Sequence, residues 1–529
     1  MSFATVALVA LLAGGCGTTE DAGRTHAAST PATGAAGSGS SARASGQGSG
    51  ALDDPPPSPA RVTVTVVRRA AMLTVPLSYF GISTEYWTIP LFARRLALFE
   101  RTLRMLHAPG TGPFILRIGG DSTDHSVFDE NIGSRARGIF ELDPHWFHVV
   151  AALVTSISGR LILDLNLVTD LPRMAGQWAD AAIDELPRGS IAGLEIGNEP
   201  DLYSHHYWFT VFGQVAAIAR LLPLRLTPLR YVGLYGTYAR VLSRLAPHIP
   251  LLGPAVAYPV TRVRWISTLL EGPHPGLRTV SAHMYPYSDC AKLTSHSYPT
   301  IARLLSENAT AGVAARLGPA IRLAHREGLP FRLTELNSVT CGGTPGVSDT
   351  FATALWAPDV LFELMRAGVD GVNVHLRAYA VNAAFGLNRY GMVAHPLLYG
   401  LILFTRTLGP DARLVAVGLH AHAGVHLKAW AVRVAGGTLH VLLINKGPAT
   451  ATVALRLPTV GPASVQRLLA PSITARSGVT LDGQTLGRHD RWRGRPSNET
   501  ASPGVNGYVL SVPATSAALV TARLADGAL

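Results

Sequence analysis

The chain has 529 residues, 47% of them apolar, which exceeds what one hydrophobic core usually holds and excludes a disordered protein, so two folded units are expected. Its 45 basic residues against 34 acidic ones give a formal charge of +11. The basic residues are nearly all Arg and are scattered without Lys/Arg blocks, which argues against a nucleic-acid partner and leaves only weak steering of acidic substrates.

Residues 4–13, ATVALVALLA, are too few to span a bilayer and run into Gly14, Gly15 and Cys16, so residues 1–16 read as an export signal. LLAGGC resembles a bacterial lipobox, which implies cleavage before Cys16 and lipidation of its sulfur. No Lys or Arg precedes the apolar run, and an ordinary apolar N-terminal tail is the alternative. Residues 17–59 are rich in Ser, Gly, Ala, Thr and Pro, a composition that buries no core and acts as a tether. The expected location is extracytoplasmic, secreted or lipid-anchored at the cell surface, with the membrane met only through that anchor. Cys290 and Cys341 are the remaining cysteines, and in an exported chain an even pair favours a disulfide, here between two loops that follow neighbouring strands.

ARVTVTVVRR at 60–69 alternates like a strand, and residues 60–76 are expected to pair into a sandwich formed by the end of the chain. From 77 to 409, strand-length apolar runs alternate with amphipathic helical segments. Strands are predicted at 77–83, 113–120, 161–167, 191–198 and 250–257, and three more begin at 278, 330 and 371. Helices are predicted over 91–106, 301–326, 350–368 and 396–409. Eight such units fit an α/β fold of the (β/α)₈ barrel type. A doubly wound open sheet is the alternative, but no Gly-rich dinucleotide fingerprint follows the first strand. Residues 410–529 show short alternating runs without helical segments, which predicts an antiparallel β-sandwich.

In such a barrel the residues that end each strand share one cup. Strand one brings Glu85; strand two Arg117, Asp121 and Asp124; strand three Asp164 and Asn166; strand four Asn198 and Glu199. Strand six brings His283 and Tyr285, strand seven Glu335 and Asn337, and strand eight His375 and Arg377. Glu199 closes LEIGNEP and Glu335 closes FRLTELN. A carboxylate at the end of an apolar strand is costly to desolvate, so two of them on opposed staves suggest an acid/base and a nucleophile. Retaining glycoside hydrolysis needs that pair roughly 5 to 5.5 Å apart with different pKa values. Each Glu alone has a plainer reading as a rim salt bridge to Arg.

The segments LRIGGDSTD at 116–124, GNEPDLY at 197–203, HMYP at 283–286 and TELNSVTCGGTPGVSDTFATALW at 334–356 resemble the clan A retaining glycosidases, and within them glycoside hydrolase family 79. That family contains β-glucuronidases and heparanase, each a (β/α)₈ barrel with an appended β-sandwich, and the resemblance covers roughly residues 60–529. It implies Glu199 as acid/base, Glu335 as nucleophile, Asn198 as partner of the sugar 2-hydroxyl and Tyr285 as hydrogen-bond donor to the nucleophile. Glu85 and Asp121 fall where the family meets sugar hydroxyls, although Asp121 also suits a helix-capping role. Cys341, Gly342 and Gly343 occupy the turn whose backbone N–H groups meet the sugar carboxylate in the family. Phe385 stands where some members carry a carboxylate-binding Tyr, and Tyr379, Tyr390, Arg377 or Arg389 are the candidates to replace it. His205, His206 and Tyr207 are placed on the leaving-group side.

The expected activity is a retaining β-glucuronidase acting on glucuronic-acid glycans or glycosides, without cofactor or metal. The alternatives are a clan A enzyme for a neutral sugar, such as a xylosidase, arabinofuranosidase or glucosidase, and a non-catalytic glycan-binding surface lipoprotein.

Overall fold

The computed structural model describes residues 60–67, 70–128, 140–203, 226–422, 424–505 and 507–528. The signal segment with Cys16, the tether, and His205, His206 and Tyr207 lie outside the described residues.

Eight strands close into a parallel barrel: Phe80–Glu85 (β1), Phe114–Gly119 (β2), Gly159–Leu165 (β3), Ile191–Ile196 (β4), Leu251–Val256 (β5), Leu277–Met284 (β6), Phe331–Leu336 (β7) and Gly371–His375 (β8). The circle closes where Val372, Asn373, Val374 and His375 of β8 pair with Phe80 to Ser83 of β1. Helices cover the outside and side chains fill the inside, so both faces of each strand are buried and the strands read as apolar runs. Asp143 caps the helix Pro144–Ser156 by accepting from the Trp146 N–H at 2.7 Å.

Two predicted helices are broken. The segment 91–106 divides into Thr88–Ala93 and Leu96–Met105 at Arg95, whose backbone leaves helical geometry while its guanidinium donates to the Arg389 carbonyl at 2.6 Å. The segment 301–326 divides at Ser306, whose extended backbone and hydroxyl bond to the Arg303 carbonyl end the helix Ile301–Leu305; Ala311–Arg326 then starts afresh.

The rest of the chain forms two antiparallel-rich sheets around a second core. Ala60–Val66 lies in the smaller sheet, antiparallel to Val417–Ala421 and parallel to Ala451–Arg456. Both ends of the described chain therefore sit in the sandwich. Helix Phe351–Arg366 is apolar on nearly every side because it is wedged between barrel and sandwich. Its two buried carboxylates are matched by cations from the sandwich: Lys446 donates to Asp359 and Lys428 to Glu363, while Phe362 stacks on Trp430 at 5.3 Å. No helix among the described residues is long and apolar enough to cross a membrane.

Candidate active site

Glu199 follows β4 and Glu335 lies near the end of β7, and their carboxylate oxygens come together with a His283 ring nitrogen, all within 4.8 Å of one another. Glu199 is held in the left-handed region at φ 48°, as is Ala255 at φ 50°, whose carbonyl accepts the Glu199 N–H at 3.1 Å. Two non-glycine residues in that region mark a backbone shaped by its neighbours for a side-chain direction.

Beneath the pair lies Arg117, wholly buried on β2. Its five N–H donors all have acceptors: Nε to Glu195 at 2.8 Å, one terminal nitrogen to Glu335 Oε1 at 2.6 Å and Ser83 at 3.3 Å, the other to Asp164 at 2.9 Å and Asn198 Oδ1 at 3.0 Å. A buried guanidinium is tolerable only with such matching. The Asn198 amide carbonyl is thereby fixed on Arg117, which leaves its NH₂ as a directed donor.

Glu335 Oε2 accepts from the Tyr285 hydroxyl at 2.9 Å. Burial pushes the Glu335 carboxyl up, but His375, His283, Arg117 and the Tyr285 hydrogen bond outweigh it and hold it well below the usual carboxylate range. Glu199 goes the other way. Burial and then the Glu335 charge raise it well above that range, and its Oε1 meets His283 Nδ1 at 2.8 Å. Burial keeps His283 below its ordinary value. The two carboxyls are driven in opposite directions side by side, which is the division of labour an acid and a nucleophile require.

Glu85 is buried and accepts the Ser122 N–H at 2.8 Å, with His375 at 3.6 Å. Gly120 permits this: a Cβ there, at φ 76°, would fall 2.8 Å from the Glu85 carboxylate. Burial raises Glu85, but His375, Arg377 and Ser122 together draw it below its ordinary value. Asp121 begins a short 3₁₀ turn whose N-cap, Gly120, makes no side-chain cap, so the capping role does not apply. Its carboxylate instead lies 3.9 Å from Arg377, and burial followed by the Glu85 charge pushes it up to about 7.

Cys341, Gly342 and Gly343 form a turn with three successive positive φ values, 58°, 83° and 93°. A Cβ at position 343 would lie 2.8 Å from Asn382, so the turn closes only with glycine there. Cys341 is joined to Cys290 by a disulfide, just beyond the short ladder in which Tyr287 and Ser288 pair with Val339 and Thr340.

Phe385 proves to be a core residue: its ring is buried against Phe92 and Phe99 at 6.5 and 6.1 Å, because the hairpin Phe385–Asn388/Gly391–Ala394 turns it inward. Tyr379 and Tyr390 are 83% and 58% exposed, and Arg389 stacks on Tyr390 at 4.6 Å. Of the four substitutes for the missing Tyr, Arg377 is the one brought to the acidic residues of the cup. Glu195 and its partner Thr334, at 2.9 Å, were not anticipated. A charged residue inside the apolar run IAGLEIGN was the available signal, and its partner Arg117 inside FILRIG was the other half.

Residues 429–519 match the model of the glycosyl hydrolase family 79 C-terminal beta domain. The chain is 24% identical over 520 residues to a beta-glucuronidase of Aspergillus niger, covering 85% of this chain and 92% of that protein. Among solved structures it is similar to a 4-O-alpha-L-rhamnosyl-beta-D-glucuronidase from Fusarium oxysporum 12S, with a TM-score of 0.70 and 19% identity over 87% of this chain and all of the other. A family 51 alpha-L-arabinofuranosidase from Bifidobacterium longum shares the fold at a TM-score of 0.62 and 16% identity, over 88% of this chain and all of the other.

Proposed function

We propose that this chain, a member of glycoside hydrolase family 79, is a retaining β-glucuronidase that works by double displacement. The observation that carries the reading is the meeting of Glu199 and Glu335 within 4.8 Å with pKa values driven in opposite directions. Such a separation suits covalent attack, whereas an inverting pair stands roughly 6.5 to 9.5 Å apart to admit a water.

Ionised Glu335 attacks the anomeric carbon and forms a glycosyl ester as the glycosidic C–O bond breaks. Glu199 gives its proton to the departing oxygen. Esterification removes the Glu335 charge, which is the second cause of the raised Glu199 pKa, so Glu199 falls toward its ordinary value and becomes the base. It then takes a proton from water, whose oxygen attacks the same carbon and frees Glu335. Asn198 directs its NH₂ to the sugar 2-hydroxyl, Glu85 and Asp121 accept from other hydroxyls, and Arg377 and the 341–343 turn face the sugar carboxylate. The disulfide and the lipobox-like LLAGGC support an exported, lipid-anchored enzyme.

Hydrolysis of para-nitrophenyl β-glucuronide, followed by NMR of the first-formed anomer, tests the reading. Retention with loss of turnover in Glu335→Gln supports it; inversion sinks it. The core position of Phe385 favours a second reading, a neutral-sugar glycosidase, which would cleave the glucoside or xyloside in preference.

A further inference from the structure

Glu199 hands its proton to the leaving group, so the departing part of the substrate must lie on the Glu199 side of the cup. Among the described residues, the end of β5 and the residues after it are tied to the Glu199 segment. The Glu199 N–H is tied to Ala255 at 3.1 Å, and two residues further on Asp201 accepts the N–H groups of Ala257 at 2.9 Å and Tyr258 at 3.3 Å. These bonds fix Tyr258 beside the acid/base segment. Tyr258 is 47% exposed although its backbone is anchored in this way.

One face of that ring is already covered. The Arg262 guanidinium lies over it, 5.4 Å from the centroid, and is itself held by Asp201, whose carbonyl it bonds and whose carboxylate lies 3.7 Å away. Asp201 is buried and so fixes backbone, cation and ring together. Burial and then the Glu199 charge raise the Tyr258 phenol, consistent with a ring close to the proton donor.

We propose that Tyr258, backed by Arg262 and anchored through Asp201, is the platform on which the leaving group of the substrate stacks, and that it selects leaving groups that present a ring. Arg262 covers one face and holds the ring in place, so the exposed face is free to meet an aryl ring or the C–H face of a pyranose. This inference rests on the reading of Glu199 as the proton donor, not on the identity of the sugar.

The test is the kcat/KM of the full chain and of Tyr258→Ala on three substrates with one sugar and different leaving groups: methyl, phenyl and a second pyranose. A loss of about three- to tenfold on the ring-bearing substrates, with the methyl glycoside unaffected and recovery in Tyr258→Trp, is expected. A loss confined to the phenyl substrate identifies an aryl leaving group, and one confined to the disaccharide identifies a sugar. An equal fall on all three substrates, or none on any, overturns the proposal. The sugar is whichever one the unaltered enzyme cleaves, so a wrong sugar assignment appears as inert glucuronides before Tyr258 is touched.

Discussion

Tyr285 donates its hydroxyl to Glu335 Oε2 at 2.9 Å, so the proposed nucleophile is steadied by a neutral donor just beyond the neighbouring strand as well as by Arg117 on its other oxygen. A hydrogen bond to a charged group contributes about 1.5 to 3 kcal/mol, and this one favours the ionised form. Tyr285→Phe is expected to lower kcat about tenfold to a hundredfold, by the usual conversion of such energies. Because the Glu335 pKa rises when the donor is lost, the acid limb of the pH–rate profile moves to higher pH. An unmoved acid limb would show that Tyr285 does not act through Glu335.

Glu199→Gln removes the proposed proton donor and base but keeps the shape. Turnover of substrates with poor leaving groups should fall by about two to four orders of magnitude, whereas activated aryl substrates still form the glycosyl ester. Azide should then restore the second step by attacking that ester, yielding the β-glycosyl azide. The alkaline limb of kcat/KM belongs to Glu199, lies above the ordinary carboxylate range, and should vanish in the variant. Retention of that limb in Glu199→Gln would assign it elsewhere.

Asp121, pushed up to about 7, changes charge near neutrality within the proposed sugar-binding cup. Below that pH it is neutral and tolerates an acidic sugar; above it the carboxylate repels one. The KM for a glucuronide should therefore rise as pH passes through neutrality, and the rise should be absent in Asp121→Asn. A neutral glycoside should show a weaker step. Identical KM profiles for the variant and the unaltered enzyme would remove Asp121 from substrate binding.

Much of this architecture was legible. Parallel strands buried on both faces are continuous apolar runs, so all eight staves are legible, and seven of them carry polar residues at or near the end that enters the cup. Arg117 was visible only as one of several polar strand residues; that it gathers Glu195, Asp164, Asn198 and Glu335 depends on four strands meeting in space. Ser306 and Arg95 interrupt helices that periodicity alone joins: Ser306 bonds locally to the Arg303 carbonyl, and Arg95 reaches across the fold to the Arg389 carbonyl, neither of which the apolar pattern records. Phe385 was aligned by local pattern with a ligand-binding Tyr, and only the hairpin geometry shows its ring turned to the core.

Arg117→Met should be among the most damaging single changes. It leaves the Glu195, Asp164 and Glu335 carboxyl groups buried without their cation, a loss of about 3 to 5 kcal/mol when one side of a buried pair is removed. Arg117→Lys keeps the charge but offers three donors where five acceptors wait, so it should recover stability only in part. Thermal unfolding of the two variants orders them, and equal stability of Arg117→Met and the unaltered enzyme would mean that the network is not held by its cation.

The disulfide closes a sequence separation of 51 residues, for which chain entropy predicts about 4 kcal/mol of stabilisation. The Cys290→Ser/Cys341→Ser double variant should unfold at lower temperature yet keep most of its kcat. The reason is that Tyr285 and Glu335 are positioned below the bridge, where Met284 pairs with Leu336 in the barrel ladder itself. The 341–343 turn lies at the bridge, and with Cys341 held at φ 58° it gains freedom when the bond is cut. KM for a glucuronide should therefore rise more than KM for the matching glucoside. Loss of kcat with both KM values unchanged would mean that the bridge governs the catalytic pair and not the turn.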